Sequence, residues 1–358
     1  MRLLHICAIE NNKMSGMSNA VPDHFIFEKK LCNCAILNIL NTENYKLKDL
    51  DDVYYYKKIQ NFDVWISDFD IVIFHGVYIK EYLHIYRVIK KKNIPYIIIP
   101  HGSLTKQAQS TKRLKKFIAN KMFFNRFISN SSRIQYLSDY EKKCSSNFLN
   151  KSFVCGNGIE VGEYQKKEHK SKYIDLIYVG RYSISIKGID LMIDACANVK
   201  SLMRKHNMRL FLYGGSDDGI DKIRQMVKEK NLEGIVFVNE AIFGSEKNNT
   251  INKCDYFIQT SRTEGQPLGL IEAMSFGMPV IVSRGTTFYD IVKDNDCGYV
   301  CSTVDEIANV LKIIPNELDK IPSFSYNSYK YAKNNFTWDI LAKKNVDFYL
   351  KIMEERKK

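Results

Sequence analysis

Along the chain, short continuous apolar runs alternate with longer segments whose apolar residues recur every three or four positions. The runs predict strands at Leu3–Ala8, Asp70–Phe74, Tyr96–Pro100, Ile134–Leu137 and Ser152–Cys155. Five more follow at Ile174–Val179, Arg209–Tyr213, Ile235–Val238, Tyr256–Gln259 and Pro279–Val282. Most are unbroken rather than alternating, the mark of strands covered by helices on both faces, as in parallel sheets. The polar stretch GEYQKKEHKSK, Gly162–Lys172, reads as a linker, and the alternation restarts after it with YIDLIYVG. The pattern predicts an α/β protein of two doubly wound, Rossmann-like domains, 1–165 and 166–337, facing across a cleft. Near the end, Trp338, Ile340, Leu341, Val346, Phe348, Tyr349 and Ile352 form a helical stripe that fits as a cap on either domain.

The 358 residues suit two domains rather than one, and 45% apolar against 26% charged residues lets both bury a core. No apolar run approaches the roughly 18–20 residues that span a bilayer. The opening MRLLHICAIE reads as a strand, not a signal peptide, so a cytoplasmic protein is expected. Nine cysteines, none in a C-x-x-C pair, read as buried thiols and not as a zinc or redox site.

Charge changes the picture more. Residues 1–170 carry 27 Lys and Arg against 16 Asp and Glu, and the remainder carries 26 against 24. Between Lys80 and Arg133 there are 13 basic residues and one acidic residue, Glu81. Nucleic acid, an anionic membrane surface and a phosphate-bearing substrate all fit such a segment. Its densest part is STKRLKKFIANKMFFNRFI. There Lys112, Arg113, Lys115, Lys116, Lys121 and Arg126 interleave with Leu114, Phe117, Ile118, Met122, Phe123, Phe124 and Phe127. Such a helix either lies on a membrane, apolar side down, or packs that side into its own domain.

The densest candidate chemistry lies in RTEGQPLGLIEAMSFGMPVIVS, Arg262–Ser283. Pro267 suits a helix start, and Gly277 with Pro279 suits its end. Leu268, Gly269 and Leu270 then offer backbone N–H groups with no partner in the helix, a natural anion site. Glu264 stands in the loop before it, and Glu272 lies one turn along the face of Leu268. Two carboxylates that accept from vicinal hydroxyls, with an anion site between them, describe a nucleotide-sugar. The plain alternative is a loop acid and an exposed helix residue.

Other residues sharpen or blur this reading. In YVGRYSISIKG, Arg181 and Lys187 follow a strand at the end where α/β sites form, and would neutralise a diphosphate. Gly16, in the turn after the first strand, allows close approach of a phosphate. His101 and Gly102 end a buried strand in IIIPHGSL, where a histidine could touch a sugar or an acceptor. Each has an ordinary structural reading as well. Asp68-x-Asp70 has the form of a metal-binding pair, but an acid commonly marks a strand's start. LYGGSDDG lacks the spacing of a dinucleotide fingerprint.

Together GRYSISIKG, RTEGQPLGLIEAMSFGMPVI and VCGNGIE resemble the retaining glycosyltransferases of family 4, group 1 enzymes with the GT-B fold. The two glutamates match that family's E-x7-E signature, Asn157–Ile159 its turn into the second domain, and FTWDILAKKNVDFY its closing helix, about 338–358, which crosses back onto the first domain. The resemblance implies that Arg181 and Lys187 bind the donor diphosphate, Glu264 contacts the transferred sugar, Leu268 and Gly269 offer N–H groups to the phosphates, and Glu272 holds the ribose. It places His101 near the sugar and Gly16 in the N-terminal glycine loop, although SGM stands where a double glycine is common. PHGSL followed by a basic helix is similar to members that build capsule and O-antigen. The implied activity transfers a hexose or N-acetylhexosamine from a nucleotide-diphosphate sugar to a lipid-linked surface glycan, without metal or other cofactor. The protein would sit peripherally on the inner face of the cytoplasmic membrane. A GT-B sugar-nucleotide epimerase is the first rival and would not need the basic segment. A nucleic-acid-binding protein is the second, but no stacking platform or recognition motif is evident.

Overall fold

The computed structural model describes residues 1–13, 15–110, 113–145, 151–215 and 218–356. The chain forms two compact units, Met1–Gly158 with Trp338–Lys358, and Ile159–Thr337.

The described residues of unit 1 build a sheet of seven parallel strands. They are β1 (Arg2–Cys7), β2 (Asn33–Asn38), β3 (Val53–Tyr55), β4 (Ile71–His75), β5 (Tyr96–Ile99), β6 (Arg133–Tyr136) and β7 (Ser152–Val154), in the order 3-2-1-4-5-6-7. The order reverses beside β1, as in doubly wound sheets. β4 and β5 are buried along their whole length, as unbroken apolar runs require. Helix α1 (Gly16–Lys29) follows β1 and is capped by Ser15, whose Oγ accepts from the Ser18 N–H at 3.3 Å. Helix α2 (Arg113–Ala119) runs into a wider π-turn at Asn120–Phe124 and returns to α-helix at Asn125–Ser129. Asp68 and Asp70 serve the sheet. The Arg2 N–H donates to Asp70 at 2.7 Å, and the Arg2 guanidinium lies 3.4 Å from Asp68.

The described residues of unit 2 build a sheet of six parallel strands. They are β8 (Ile174–Val179), β9 (Met208–Tyr213), β10 (Val236–Asn239), β11 (Tyr256–Gln259), β12 (Val280–Ser283) and β13 (Gly298–Cys301), in the order 10-9-8-11-12-13. Helix α3 (Leu268–Ser275) connects β11 to β12 and ends at Gly277, whose φ of +71° suits a residue without Cβ. The segment expected as a linker belongs to this unit. Tyr164 packs on Tyr326 and Tyr329 of helix α4 (Ile321–Phe336), and the Tyr329 hydroxyl donates to the Gly162 carbonyl at 2.9 Å. The first crossing therefore falls at Gly158–Ile159, ahead of the expected 165. Helix α5 (Trp338–Glu355) returns to unit 1, where Trp338 stacks on Phe27 of α1 and Phe348 stacks on Phe153 of β7. Among the described residues no helix is long and apolar enough to cross a membrane.

Candidate functional site

The residues singled out in unit 2 gather where β8 and β11 end and α3 begins. The loop after β8 carries Arg181, which is exposed, and a short helical turn, Ile184–Lys187, which carries Lys187. Gly188 closes that turn with φ +63°, and a Cβ there would stand 2.2 Å from the Thr260 carbonyl oxygen. Only glycine lets this loop lie against the end of β11. The contact is fastened on both sides. Thr260 Oγ1 donates to the Gly188 carbonyl at 2.9 Å, and the Arg262 N–H donates to the Ile186 carbonyl at 2.8 Å. The Arg262 guanidinium grips Asp190 through two bonds of 2.7 and 2.6 Å.

This docking brings Lys187 onto Glu264, 77 residues away in the chain. The Lys187 ammonium donates to Glu264 Oε1, and the same oxygen accepts from Gln259 Nε2 and Ser261 Oγ, each at 2.7 Å. Both charged side chains are largely covered, 16% exposed for Lys187 and 10% for Glu264. The other oxygen, Oε2, makes no hydrogen bond among the described residues. One oxygen thus anchors the carboxylate and the second remains an acceptor. Glu272, on the first turns of α3, pairs with Lys247 at 2.8 Å and is more exposed.

At the head of α3, Pro267 is the capping residue and Leu268 the first helical one. The Leu268 N–H differs from expectation. It donates to the Gln266 carbonyl at 3.0 Å, because the chain turns tightly through Gln266–Pro267. Gly269 and Leu270 keep N–H groups without a backbone partner among the described residues. Leu270 buries its side chain in the core, so only its backbone serves the helix end. A Cβ on Gly269 would lie 3.4 Å from the Val179 carbonyl, which leaves α3 set closely against the end of β8.

Gln259, Ser261, Lys247 and the Arg262–Asp190 pair escaped the sequence reading. Polar residues at the end of an apolar strand, QTS after YFI, are the one signal that marks the first two.

The remaining candidates lie in unit 1. Gly16 opens α1, with open space around the position of a Cβ. His101 follows β5 with φ +48° and donates or accepts at His75 across 3.1 Å. Lys112 lies outside the described residues. Arg113, Lys115, Lys121 and Arg126 are exposed, whereas Lys116 turns back to the Ala108 carbonyl and lies 5.4 Å from the Tyr78 ring centre. The apolar residues between them split. Phe124 and Phe127 pack into the unit 1 core, while Leu114, Phe117, Ile118, Met122 and Phe123 stay 45–72% exposed. The π-turn widens the helix at the point where the two sets part.

Residues 162–334 match the model of the family Glycosyl transferases group 1. An uncharacterized glycosyltransferase of Methanocaldococcus jannaschii, MJ1178, is 27% identical over 256 residues, which cover 70% of this chain and 66% of that protein. The capsular polysaccharide biosynthesis glycosyltransferase CapM of Staphylococcus aureus is 24% identical over 216 residues, covering 57% of this chain and 55% of CapM. Neither match spans more than 66% of the relative's own length. Among solved structures, Anabaena Alr3699/HepE in complex with UDP superposes with a TM-score of 0.75 over 98% of this chain and 100% of that one. At 15% identity that likeness is one of fold. Residues 162–334 are thus similar to the group 1 glycosyl transferases, in a chain whose two parallel-sheet, Rossmann-like units have the GT-B fold.

Proposed function

We propose that the chain is a retaining glycosyltransferase of family 4 that moves a hexose or N-acetylhexosamine from a nucleoside-diphosphate sugar to a lipid-linked surface glycan, with no metal. Unit 2 holds the donor and unit 1 receives the acceptor. The observation that carries this reading is Glu264, whose Oε1 is held by Lys187, Gln259 and Ser261 while Oε2 keeps its full accepting capacity. A carboxylate so fixed is preorganised to accept from sugar hydroxyls at no reorganisation cost. The Gly269 and Leu270 N–H groups at the head of α3 suit the diphosphate. Lys187 and Arg181 add the charge that stabilises it as it leaves. Glu272 accepts from the ribose diol. No side chain attacks the sugar in this scheme. The acceptor hydroxyl enters from the face the diphosphate leaves, and a phosphate oxygen takes its proton. Capsule or O-antigen assembly is the setting that the CapM likeness favours.

Calorimetric titration with UDP-, GDP- and ADP-linked hexoses and N-acetylhexosamines, in EDTA and again with Mn²⁺, tests the donor. One nucleoside series should bind in EDTA. The solved fold relative that holds UDP makes the uridine series the first to try. Glu272→Ala should weaken that binding by about 1.5–3 kcal/mol, the worth of a charged hydrogen-bonded pair. Equal affinity of variant and parent for the bare nucleotide would remove the ribose role. Binding only with Mn²⁺ would remove metal independence.

The exposed strip of Leu114, Phe117, Ile118, Met122 and Phe123, flanked by Arg113, Lys115 and Lys121, suits an anionic lipid surface. Each basic residue near such a surface contributes about 1 kcal/mol. Changing Arg113, Lys115 and Lys121 together to glutamine should therefore weaken binding to phosphatidylserine vesicles by about 100-fold at low salt. Donor affinity should stay as it was. Equal co-sedimentation of parent and triple variant would exclude this strip as the membrane contact.

A further inference from the structure

Three adjacent strands of unit 1, β1, β4 and β5, bring one histidine each into a diagonal line that steps two residues along the sheet from strand to strand, since His5 is opposite Ile73 and His75 is opposite Ile99. His5 lies in β1, His75 ends β4, and His101 follows β5. Their rings are spaced 5.3 and 5.4 Å apart, close to the strand repeat. His5 Nδ1 lies 3.0 Å from His75 Nε2, and His75 Nδ1 lies 3.1 Å from His101 Nε2. At the inner end, His5 Nε2 stands 3.3 Å from Oε2 of Glu28 in α1, an ion-pair distance without hydrogen-bond angles, and among the described residues neither atom has another hydrogen-bond partner. His5, His75 and Glu28 are fully buried. At the outer end His101 is part exposed, and its Nδ1 makes no hydrogen bond among the described residues.

Glu28 fixes the direction of this line. Burial would raise its carboxyl, but His5 and His24 outweigh that and hold it down to about 2. It is an acceptor only. His5 then carries its proton on Nε2 and accepts at Nδ1 from His75, which in turn accepts from His101. Every ring is the Nε2–H tautomer, and the line ends in a lone pair on His101 Nδ1. The other titratable groups that face it do not break this order. His24 bonds to Glu28 and, through Nε2, to Asn157 at 2.9 Å. Burial pushes up Tyr349 and Cys155 and leaves them uncharged. Cys34 is pushed up by its contact with Cys32 and by burial. Glu141, raised by burial, accepts from the Gly102 N–H and so braces the turn that presents His101.

We infer that His5, His75 and His101 form a proton relay that opens at His101 Nδ1 and closes on the buried carboxylate of Glu28. A proton that arrives at His101 Nδ1 releases the one on Nε2 to His75 Nδ1. His75 passes its Nε2 proton to His5 Nδ1, and His5 becomes an imidazolium beside Glu28. One proton enters, one charge appears, and it appears next to the carboxylate rather than at the mouth. Burial and neighbouring histidines push His75 well down, and burial with His24 pushes His101 down to about 3, so neither ring keeps the charge. His101 stays neutral in both states. It accepts from a bound hydroxyl in one state and donates to it in the other. His5, His75 and Glu28 are positioning residues that act through it. The identity of that hydroxyl as one on a sugar or acceptor rests on the glycosyltransferase reading. The relay itself does not.

The test is long-range ¹H–¹⁵N correlation on the full chain labelled with ¹⁵N-histidine, followed through pH. At high pH all three rings should show protonated Nε2 and unprotonated Nδ1. On acidification the three should change together with one midpoint, taking up one proton between them. Separate midpoints, or an Nδ1–H tautomer of His101 at high pH, would overturn the relay. His75→Gln retains a donor and an acceptor but passes no proton. It should uncouple His101 from His5 in the same spectra and move the acid limb of kcat by at least one pH unit, with the donor KM within about twofold. An unchanged pH profile would reduce His75 to a structural role. If no donor is turned over and the common midpoint is still seen, the glycosyltransferase reading fails and the relay stands.

Discussion

Lys187→Ala should lower turnover by about 10²–10³-fold, the range for removing one donor from a preorganised transition-state site. The loss should fall on kcat. Lys187 is mostly covered, it is held by Glu264, and the turn that carries it is pinned to β11 through Gly188 and Thr260. On the proposed reading it therefore needs no reorganisation when charge builds on the departing diphosphate. The ammonium has three donors, so it serves a phosphate oxygen without giving up Glu264. Alanine removes that charge and also leaves Glu264 anchored only by Gln259 and Ser261. Arg181→Ala should fall in the same range. Single-turnover measurement with saturating donor separates the outcomes. Full turnover with only a raised KM would show that Lys187 contributes uniform binding instead.

Glu28→Ala should cost unit 1 about 3–5 kcal/mol, the effect of breaking a buried charged cluster by removing one partner. Glu28 accepts from Asn345 Nδ2 at 2.9 Å and contacts His24 at 3.2 Å and His5 at 3.3 Å, all without solvent. The variant leaves those groups buried with no acceptor. Urea unfolding should show a lower midpoint. The parent carries a matching pH signature. Folding holds Glu28 at about 2, below its ordinary 4.5, so the unfolded chain binds its proton first. Its contribution is complete above about pH 4.5 and is lost as pH falls toward 2. The Glu28→Ala variant should lack that part of the acid dependence.

Much of this architecture was legible because burial on both faces of a parallel strand leaves an unbroken apolar run. Ile174–Val179 and Tyr256–Gln259 read to the residue. Three strands did not. NCAILN in β2 starts and ends in asparagine, GYVC in β13 is four residues long, and β3 is a three-residue edge. The head of α3 was legible because proline and glycine punctuate it. The bond from the Leu268 N–H to Gln266 was not, since it depends on how tightly the turn closes. The Lys187–Glu264 pair joins residues from two different strand ends, and no spacing in the chain announces it. The histidine line was hidden for the same reason. Each histidine ends or fills an apolar run, and only the register of β1, β4 and β5 puts the two nitrogen pairs in reach. In the basic segment, periodicity alone could not separate Phe124 and Phe127 from the apolar residues that stay outside. The π-turn decides it.

The return of α5 to unit 1 has a consequence for how the molecule is made. Unit 2 is inserted into unit 1 between Gly158 and Trp338, and two of the groups that satisfy the buried Glu28 and Gln135, Asn345 and Tyr349, arrive with the last helix. On the ribosome the inserted unit has its whole sequence once Thr337 has emerged, while the unit synthesised first still lacks a wall of its core. The usual order of N-terminal domain first is thereby inverted. Until α5 docks, the nascent chain exposes the faces of Phe27 and Phe153 that Trp338 and Phe348 will cover, and the Glu28 carboxylate lacks its Asn345 donor. Chaperone demand during synthesis should therefore concentrate on the segment before Gly158 and fall only once α5 has emerged and docked.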